Sequence, residues 1–160
     1  MVNAKLQKQY GLFIDGEFVP ASDGGTFEAH NPANGEVLAA CAEATKEDVD
    51  KAVAAARRAL ASWRHTSPIE RQNYLLKIAD IIDENAEHLA LVETLDNGKP
   101  IRETSAVDIP MGSDHFRYFA GCIRAQEGTA TMLDDNTMSL VIHEPIGVVG
   151  PVSYTHLRAH

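Results

Sequence analysis

Apolar and polar residues follow two patterns along this chain, and the change from one to the other predicts where strands give way to helices. Residues 12–19 (LFIDGEFV) are two short apolar runs around Asp15-Gly16, a dipeptide that accepts the positive φ of a type I′ hairpin turn. Residues 26–44 repeat this arrangement around Asn34-Gly35, but Pro32 weakens the preceding strand and predicts a looser connection. We therefore expect two small β units in the N-terminal region.

Helical spacing takes over at Thr45. Thr45 and Asp48 have the spacing of a capping box, and Ser67 with Glu70 repeats that spacing with a proline in the first turn. A third helical segment ends at Gly98, with Pro100 behind it. The apolar residues at helical spacing predict the inward faces of these three helices: Val49, Ala52, Val53, Ala56, Leu60 and Trp63; then Leu75, Ile78, Ala79 and Ile82; then Leu89, Val92 and Leu95.

A fourth helix is predicted over residues 103–126, kinked or restarted at Pro110, with Phe116, Phe119, Ala120 and Ile123 on its inner face. Residues 137–144 (TMSLVIHE) alternate as a half-exposed strand does, and IGVVG at 146–150 is typical of the opening of a buried strand. Four helices with one apolar face each need a sheet to cover. Because that sheet is missing, the pattern predicts an incomplete domain.

Composition narrows the class of protein. The 160 residues are 44% hydrophobic and 23% charged, as in a globular protein, and 14 basic against 23 acidic side chains give a net charge of −9. That charge disfavours nucleic acid and anionic membranes as partners. No apolar run reaches the roughly 20 residues of a membrane helix, and the first residues lack the apolar core of a signal peptide. We predict a cytoplasmic protein.

Neither cysteine has the surroundings of a nucleophile. Cys41 lies in an apolar strand-like run and Cys122 inside a helix, without a CxxC motif, so we interpret both as buried filler. His156 and His160 are spaced i, i+4, but no third metal ligand accompanies them, and chance is the preferred explanation. The remaining histidines considered, His65, His88, His115 and His143, are interpreted as solvated or partly packed. GVVG lacks the spacing of a dinucleotide-binding loop.

Several motifs in colinear order identify a resemblance. FIDGEFV, NPANGEV, DVDKAVAAARRA, VETLDNGKP, RYFAG and HEPIGVVG follow one another between residues 10 and 152. In this order the chain resembles the N-terminal part of the NAD(P)-dependent aldehyde dehydrogenase superfamily. Residues 99–128 look particularly like its bacterial branch acting on acetaldehyde and other short aliphatic aldehydes.

The resemblance implies an α/β fold: small β units, a helical block, an oligomerisation strand at residues 137–144 and the first strand of a Rossmann-like cofactor sheet. It implies a homo-oligomeric parent enzyme that oxidises aldehydes to carboxylic acids with NAD or NADP. The family's Pro-Trp-Asn motif would follow GVVG, and its ribose-binding lysine, general-base glutamate and nucleophilic cysteine lie far downstream. No catalytic or cofactor-binding residue is therefore carried over, and we expect this chain alone to bind no cofactor and to be inactive.

The resemblance implies one binding site in this chain, a site for a structural cation. In many relatives an aspartate at the position of Asp108 holds a structural cation together with a backbone carbonyl, which here corresponds to that of His30. Oxygen ligands of this kind suit a hard cation. The alternative is a helix-surface carboxylate that makes a local cap or ion pair, and the sequence leaves both open.

The resemblance divides the chain at residue 152. Residues 1–152 are interpreted as the N-terminal portion of an aldehyde dehydrogenase, and residues 153–160 (SYTHLRAH) as a foreign or artefactual tail on a truncated reading frame. A different class remains as an alternative, namely a non-catalytic α/β module that self-associates or binds a partner. Its support is that capped helices and hairpins occupy nearly the whole chain.

Overall fold

The computed structural model describes residues 5–151 of the chain. The predicted tail at 153–160, with His156 and His160, lies outside the described residues. In the described part, short strands come first, a helical block follows and a hairpin comes last. The elements are β1 (Gln9–Tyr10), β2 (Leu12–Ile14), β3 (Glu17–Val19), β4 (Thr26–His30), β5 (Val37–Ala42), α1 (Lys46–Trp63), α2 (Pro68–Glu84), α3 (Ala86–Asn97), α4 (Ile101–Glu103), a π turn (Thr104–Asp108), α5 (Ile109–Ile123), β6 (Thr129–Asp134) and β7 (Thr137–Val141).

The first β unit is the hairpin that the Asp15-Gly16 dipeptide predicts. Strands β2 and β3 pair antiparallel, and the two turn residues have φ values of 55° and 86°. Both values lie in the left-handed region that Asp and Gly tolerate best. Arg58 of α1 donates to the Asp15 carboxylate at 2.8 Å, so the turn is tied to the first helix.

The second β unit is larger than the sequence pattern predicts. Strands β4 and β5 pair antiparallel as expected, through a loose connection with a register shift between Ala29 and His30. Strand β1, which was not predicted, adds to β5 in parallel and makes the sheet order β1-β5-β4. Two residues are too short to show an alternating pattern, which is why β1 leaves no sequence signal.

Both predicted capping boxes are formed. The Thr45 hydroxyl accepts from the Asp48 backbone N–H, and the Asp48 carboxylate accepts from the Thr45 N–H at 2.9 Å; Ser67 and Glu70 repeat the arrangement at the start of α2. Asp48 is buried and also accepts hydrogen bonds from the Ser22 hydroxyl and backbone N–H. Those bonds from Ser22, with the bonds from Thr45, lower the pKa of Asp48 well below its usual range.

The fourth helix differs from its prediction in bounds and in the place of its irregularity. It begins at Ile101 rather than 103 and ends at Ile123 rather than 126. The irregularity is a π turn directly before Pro110, in which the Ile109 N–H reaches back five residues to the Thr104 carbonyl. Since Pro110 has no N–H to donate and its ring crowds the preceding turn, the wider turn accommodates it and the chain continues as α5.

The structure of the last described residues confirms one strand prediction, corrects a second and adds a strand that was not predicted. Strand β7 occupies residues 137–141 of the predicted 137–144, paired with β6, which was not predicted. Residues 142–151 contain no strand, so the cofactor-sheet strand expected at 146–150 is not formed in the described chain. The physical reason is that a buried strand needs neighbours on both sides, and Ile146 is 94% exposed here.

The core of the described chain is thin. Its buried apolar residues are all alanines: Ala21, Ala39, Ala42, Ala55, Ala79, Ala90 and Ala120. The main helical contact joins α2 to α5, where Ser113 donates to the Ala79 carbonyl and Arg117 pairs with Asp80 and Asp83 at 2.9 and 2.5 Å. Large apolar side chains stay accessible, including Ile78 and Phe119 of the predicted inner faces. This confirms the prediction that those faces are not all covered within the chain.

Within residues 5–151, none of the helices has the length and apolar character that crossing a membrane requires.

Candidate functional site

The turn that ends α3 shapes the neighbourhood of the predicted cation site. Gly98 takes a φ of 79° and donates its N–H to the Thr94 carbonyl at 3.0 Å, which closes the helix in the left-handed conformation typical of glycine. The Asn97 side chain accepts from the Lys99 N–H at 2.8 Å. Lys99 is thereby held at the end of α3, where its side chain meets the π turn.

Lys99 makes the shortest ionic contact of this neighbourhood. Its ammonium lies 2.8 Å from the Asp108 carboxylate and 3.4 Å from the Glu93 carboxylate. The hydrogen bond to Asp108, followed by the contacts to Glu93, raises the pKa of Lys99. Lys99 therefore stays protonated and neutralises Asp108, which is the ion-pair alternative that the sequence left open.

The other predicted ligand, the His30 carbonyl, is at the end of β4. The chain continues into Asn31, which is buried and whose side chain accepts from the Ala33 N–H at 2.9 Å. Pro32 then packs against the end of α3, where its Cγ is 2.9 Å from the position that a Cβ on Gly98 would take. Asp108 and the segment after His30 thus both border the Gly98-Lys99 turn.

The described ligand set for a cation is small. No group of three or more His, Cys, Asp or Glu side chains with metal-binding geometry occurs among the residues that the structure describes. One carboxylate and one carbonyl fall short of the roughly six to eight oxygen ligands that Ca²⁺ takes. The cation site at Asp108 and the His30 carbonyl remains a prediction.

The two cysteines differ from each other. Cys41 is half-buried in β5, in register with Tyr10 and Phe27 of the neighbouring strands, as an apolar filler would be. Cys122 is exposed near the end of α5, so its interpretation as buried filler is wrong. Its position inside a helix did not decide its burial, because a helix has both covered and open faces.

The histidines in the described residues agree with their interpretation as solvated or partly packed side chains. His65, His88, His115 and His143 are all exposed. His30 is exposed as well, and its ring lies 3.4 Å from the Glu28 carboxylate. None of these side chains is buried as a metal ligand or catalytic base usually is.

Two hollows on the described surface lack the lining that a dinucleotide needs. The larger, about 440 Å³, is lined by uncharged residues: Gln7, Gln9, Tyr10, Gly11, Phe18, Val19 and Pro20. The smaller, about 100 Å³, lies beside Cys41 and is mostly apolar. A pyrophosphate calls for basic side chains or a helix N-terminus, and the lining of these hollows has neither. The described residues therefore do not fit NAD at either place.

An aromatic cluster at the start of α2 was missed by the sequence reasoning. The rings of Trp63 and Tyr74 lie 5.6 Å apart, and the Arg71 guanidinium is 5.9 Å from the Trp63 ring centre. Trp63 was placed on the inner face of α1 by its spacing, yet it is 46% exposed. The signal that could have indicated the cluster is the short connection from α1 to α2, which brings residues 63, 71 and 74 together.

The sequence of the chain matches the profile of one enzyme family. The sequence profile of the aldehyde dehydrogenase family matches residues 18–153. The chain therefore belongs to the aldehyde dehydrogenase family.

Particular relatives make the likeness more specific. The chain is 54% identical to the acetaldehyde dehydrogenase of Pseudomonas aeruginosa and 49% identical to aldehyde dehydrogenase B of Escherichia coli K12. Each alignment covers 92% of this chain and 29% of the relative. The chain thus spans less than a third of the length of these curated relatives.

Solved structures also match this chain over less than a third of their own length. An aldehyde dehydrogenase from Bacillus cereus in complex with NAD⁺ superimposes with a TM-score of 0.83 at 41% identity, over 86% of this chain and 28% of that one. An NAD-dependent aldehyde dehydrogenase from Sinorhizobium meliloti gives 0.80 at 37% identity, over 86% and 28%. The mixed α/β arrangement described above is thus that of the N-terminal part of these structures.

Proposed function

We propose that this chain forms the N-terminal portion of a cytoplasmic NAD(P)-dependent aldehyde dehydrogenase that oxidises acetaldehyde or another short aliphatic aldehyde to the carboxylic acid. The observation that carries the proposal is the 54% identity to an acetaldehyde dehydrogenase over 147 residues. The NAD⁺ complex of the Bacillus cereus relative supports the nicotinamide cofactor.

The chain by itself is proposed to be inactive. Oxidation through a thiohemiacetal needs an activated thiolate, a donor for the oxyanion and a bound nicotinamide cofactor that accepts the hydride. Cys41 sits in an apolar strand, and Cys122 is on an open helix surface away from both hollows described above. These surroundings of the two thiols support the proposal that neither is the nucleophile.

The proposed role of the chain is structural, as one part of a longer subunit. Its last hairpin is proposed to join subunits of a homo-oligomer, because Met138 and Leu140 of β7 are both more than half exposed. Exposed apolar side chains on a strand pair are typical of a surface that another chain covers. A non-catalytic module that self-associates is the second candidate, and the same exposed residues support it.

We also propose that Asp108 and the His30 carbonyl hold a structural cation in the complete protein. The support is that Asp108 and the loop after His30 border the same Gly98-Lys99 turn. Lys99 would then compete with the cation for the Asp108 carboxylate. Further oxygen ligands would have to come from outside the described residues.

The experiment that tests the enzymatic proposal is an assay of the reading frame extended to the full length of its relatives. We expect that protein to reduce NAD or NADP in the presence of acetaldehyde, with lower kcat/KM for bulky aromatic aldehydes. Comparing the two cofactors at equal concentration identifies the one used. Absence of turnover with every aldehyde tested, in a folded oligomer, would sink the proposal in favour of the non-catalytic module.

A further inference from the structure

The sequence contains two Asn-Gly dipeptides, Asn34-Gly35 and Asn97-Gly98. Asparagine before glycine is susceptible to deamidation, because glycine has no Cβ to hinder the approach of its backbone nitrogen to the asparagine side chain. Both glycines also have a positive φ, of 75° and 79°. The two dipeptides therefore share the same intrinsic chemistry, and their surroundings decide where it can occur.

The dipeptide at the end of α3 is held on both sides. Asn97 is the last residue of the helix and half-buried, and its side-chain oxygen accepts from the Lys99 N–H at 2.8 Å. The Gly98 N–H donates to the Thr94 carbonyl at 3.0 Å. A Cβ on Gly98 would lie 2.9 Å from the Pro32 ring, so little room surrounds this turn. Freeing the Gly98 nitrogen requires unwinding the end of the helix.

The dipeptide between β4 and β5 is in an exposed turn. The Asn34 amide donates to the Glu36 carboxylate at 2.9 Å, and its oxygen accepts from the Glu36 N–H at 3.0 Å. The Gly35 N–H donates to the Asn31 carbonyl at 2.8 Å, and a Cβ on Gly35 would meet no atom within 4 Å. All these bonds lie within residues 31–36, and residues 34–36 are exposed. Freeing the Gly35 nitrogen therefore needs only a local opening.

We propose that Asn34 is a site of spontaneous deamidation, in which water converts its side-chain amide to an acid through a cyclic imide. A base takes the proton of the Gly35 backbone nitrogen, which bonds to the Asn34 Cγ. The Cγ–Nδ2 bond breaks, and the nitrogen takes up a proton and leaves as ammonia. Water then opens the imide at either carbonyl carbon, which gives aspartate or isoaspartate. No electrons are exchanged, and water is the only co-reactant.

The product alters the turn from which the reaction starts. An acid at position 34 replaces the amide that donates to the Glu36 carboxylate, so two like charges meet. The isoaspartate form also adds a methylene to the main chain and moves the Gly35 N–H relative to the Asn31 carbonyl. Because Asn31 directly follows His30, deamidation changes the loop beside the carbonyl that we propose as a cation ligand.

The test follows both dipeptides in one sample. The 160-residue chain is incubated at mildly alkaline pH, folded in buffer and unfolded in guanidinium chloride. Mass spectrometry of the peptides that contain residues 34 and 97 measures the conversion of amide to acid. Isoaspartate is measured separately with an isoaspartyl methyltransferase. Since the denaturant removes the surroundings, each dipeptide serves as a control for the other.

We expect the two sites to convert within about 3-fold of each other in denaturant, where only residual structure distinguishes them. In the folded chain, Asn34 should convert at least about 10-fold faster than Asn97, because its local opening costs less free energy. Equal rates in the folded chain, or a faster Asn97, overturn the proposal. No conversion of folded Asn34 over the time in which the unfolded chain converts also overturns it.

A matched variant identifies the reacting side chain. Asn34→Gln has a side chain that is one methylene longer and cyclises more slowly, so conversion at position 34 should be lost while the rate at Asn97 stays unchanged. A persistent isoaspartate signal from that peptide contradicts the assignment to Asn34. Circular dichroism checks that Asn34→Gln folds, and if it does not, the comparison of the two sites in the wild-type chain decides. Neither measurement depends on aldehyde oxidation.

Discussion

At the scale of single residues, Asp48 joins two parts of the chain that are 26 positions apart. Its carboxylate caps α1 and at the same time accepts from the backbone N–H of Ser22, at 3.1 Å, and from its hydroxyl. Lys51 donates to the Ser22 hydroxyl at 2.9 Å, which adds a basic side chain to the network. The first β units and the helical block are therefore connected through one buried carboxylate.

Replacing Asp48 by Asn tests this connection. Hydrogen bonds from Ser22 and Thr45 hold the pKa of Asp48 below its value in the unfolded chain, which is about 3.9. The carboxylate therefore stabilises the fold above about pH 4, and its contribution is lost as the pH falls through the lower folded pKa. We expect Asp48→Asn to lower the Tm at pH 7 and the difference from wild type to shrink below pH 4. An equal Tm difference at pH 7 and pH 3 contradicts the role of ionised Asp48.

The ion pair between Lys99 and Asp108 offers a second residue-scale prediction. Lys99→Met removes the ammonium 2.8 Å from the Asp108 carboxylate, so the Tm should fall and Asp108 should become free to bind an added cation. In the reading frame extended to the length of its relatives, which would supply the further oxygen ligands, we expect Ca²⁺ or K⁺ to raise the Tm of Lys99→Met more than choline chloride of the same ionic strength does. The double variant Lys99→Met/Asp108→Asn controls for other sites. If both variants respond alike to every salt, Asp108 holds no cation.

At the scale of elements, the turns and caps were predictable because their signals are local. Asp15-Gly16, Thr45 with Asp48 and Ser67 with Glu70 each act within four residues, and each forms the structure that its pattern predicts. Strand β1 and the failure of residues 146–150 to form a strand depend on distant pairing partners instead. An ion pair of Asp108 was one of the two alternatives, but its partner Lys99 was not predicted, since the π turn that brings the two together has no sequence signature.

The end of α3 gives an element-scale prediction with a matched control. Gly98→Ala places a Cβ at a φ of 79° and 2.9 Å from the Pro32 ring, so we expect it to destabilise the chain by at least about 1 kcal/mol. Gly112 is in α5 with open space around the same position, and Gly112→Ala should stabilise by about 0.5–1 kcal/mol. Urea unfolding of both variants measures the two effects. A stabilising Gly98→Ala would show that Pro32 does not pack against this turn.

At the scale of the whole molecule, the chain is a set of well-formed local elements around a small core. Buried apolar residues in the described part are alanines, while Phe13, Tyr118, Phe119 and Leu140 are all more than half exposed. The sequence predicted the family and the uncovered faces, because colinear motifs and helical periodicity span nearly the whole chain. It did not predict a site of chemistry, because no catalytic or cofactor-binding residue could be matched to the motifs that carry the resemblance.

One measurement tests the central claim most directly. The 160-residue chain and the same reading frame extended to the length of its relatives are assayed side by side with acetaldehyde and NAD, and separately NADP, by the absorbance of the reduced nicotinamide. We predict turnover by the extended protein and none by the chain alone, whose thiols at Cys41 and Cys122 lack a cofactor site beside them. Protein-dependent turnover by the chain alone, abolished by Cys41→Ala or Cys122→Ala, would contradict the account.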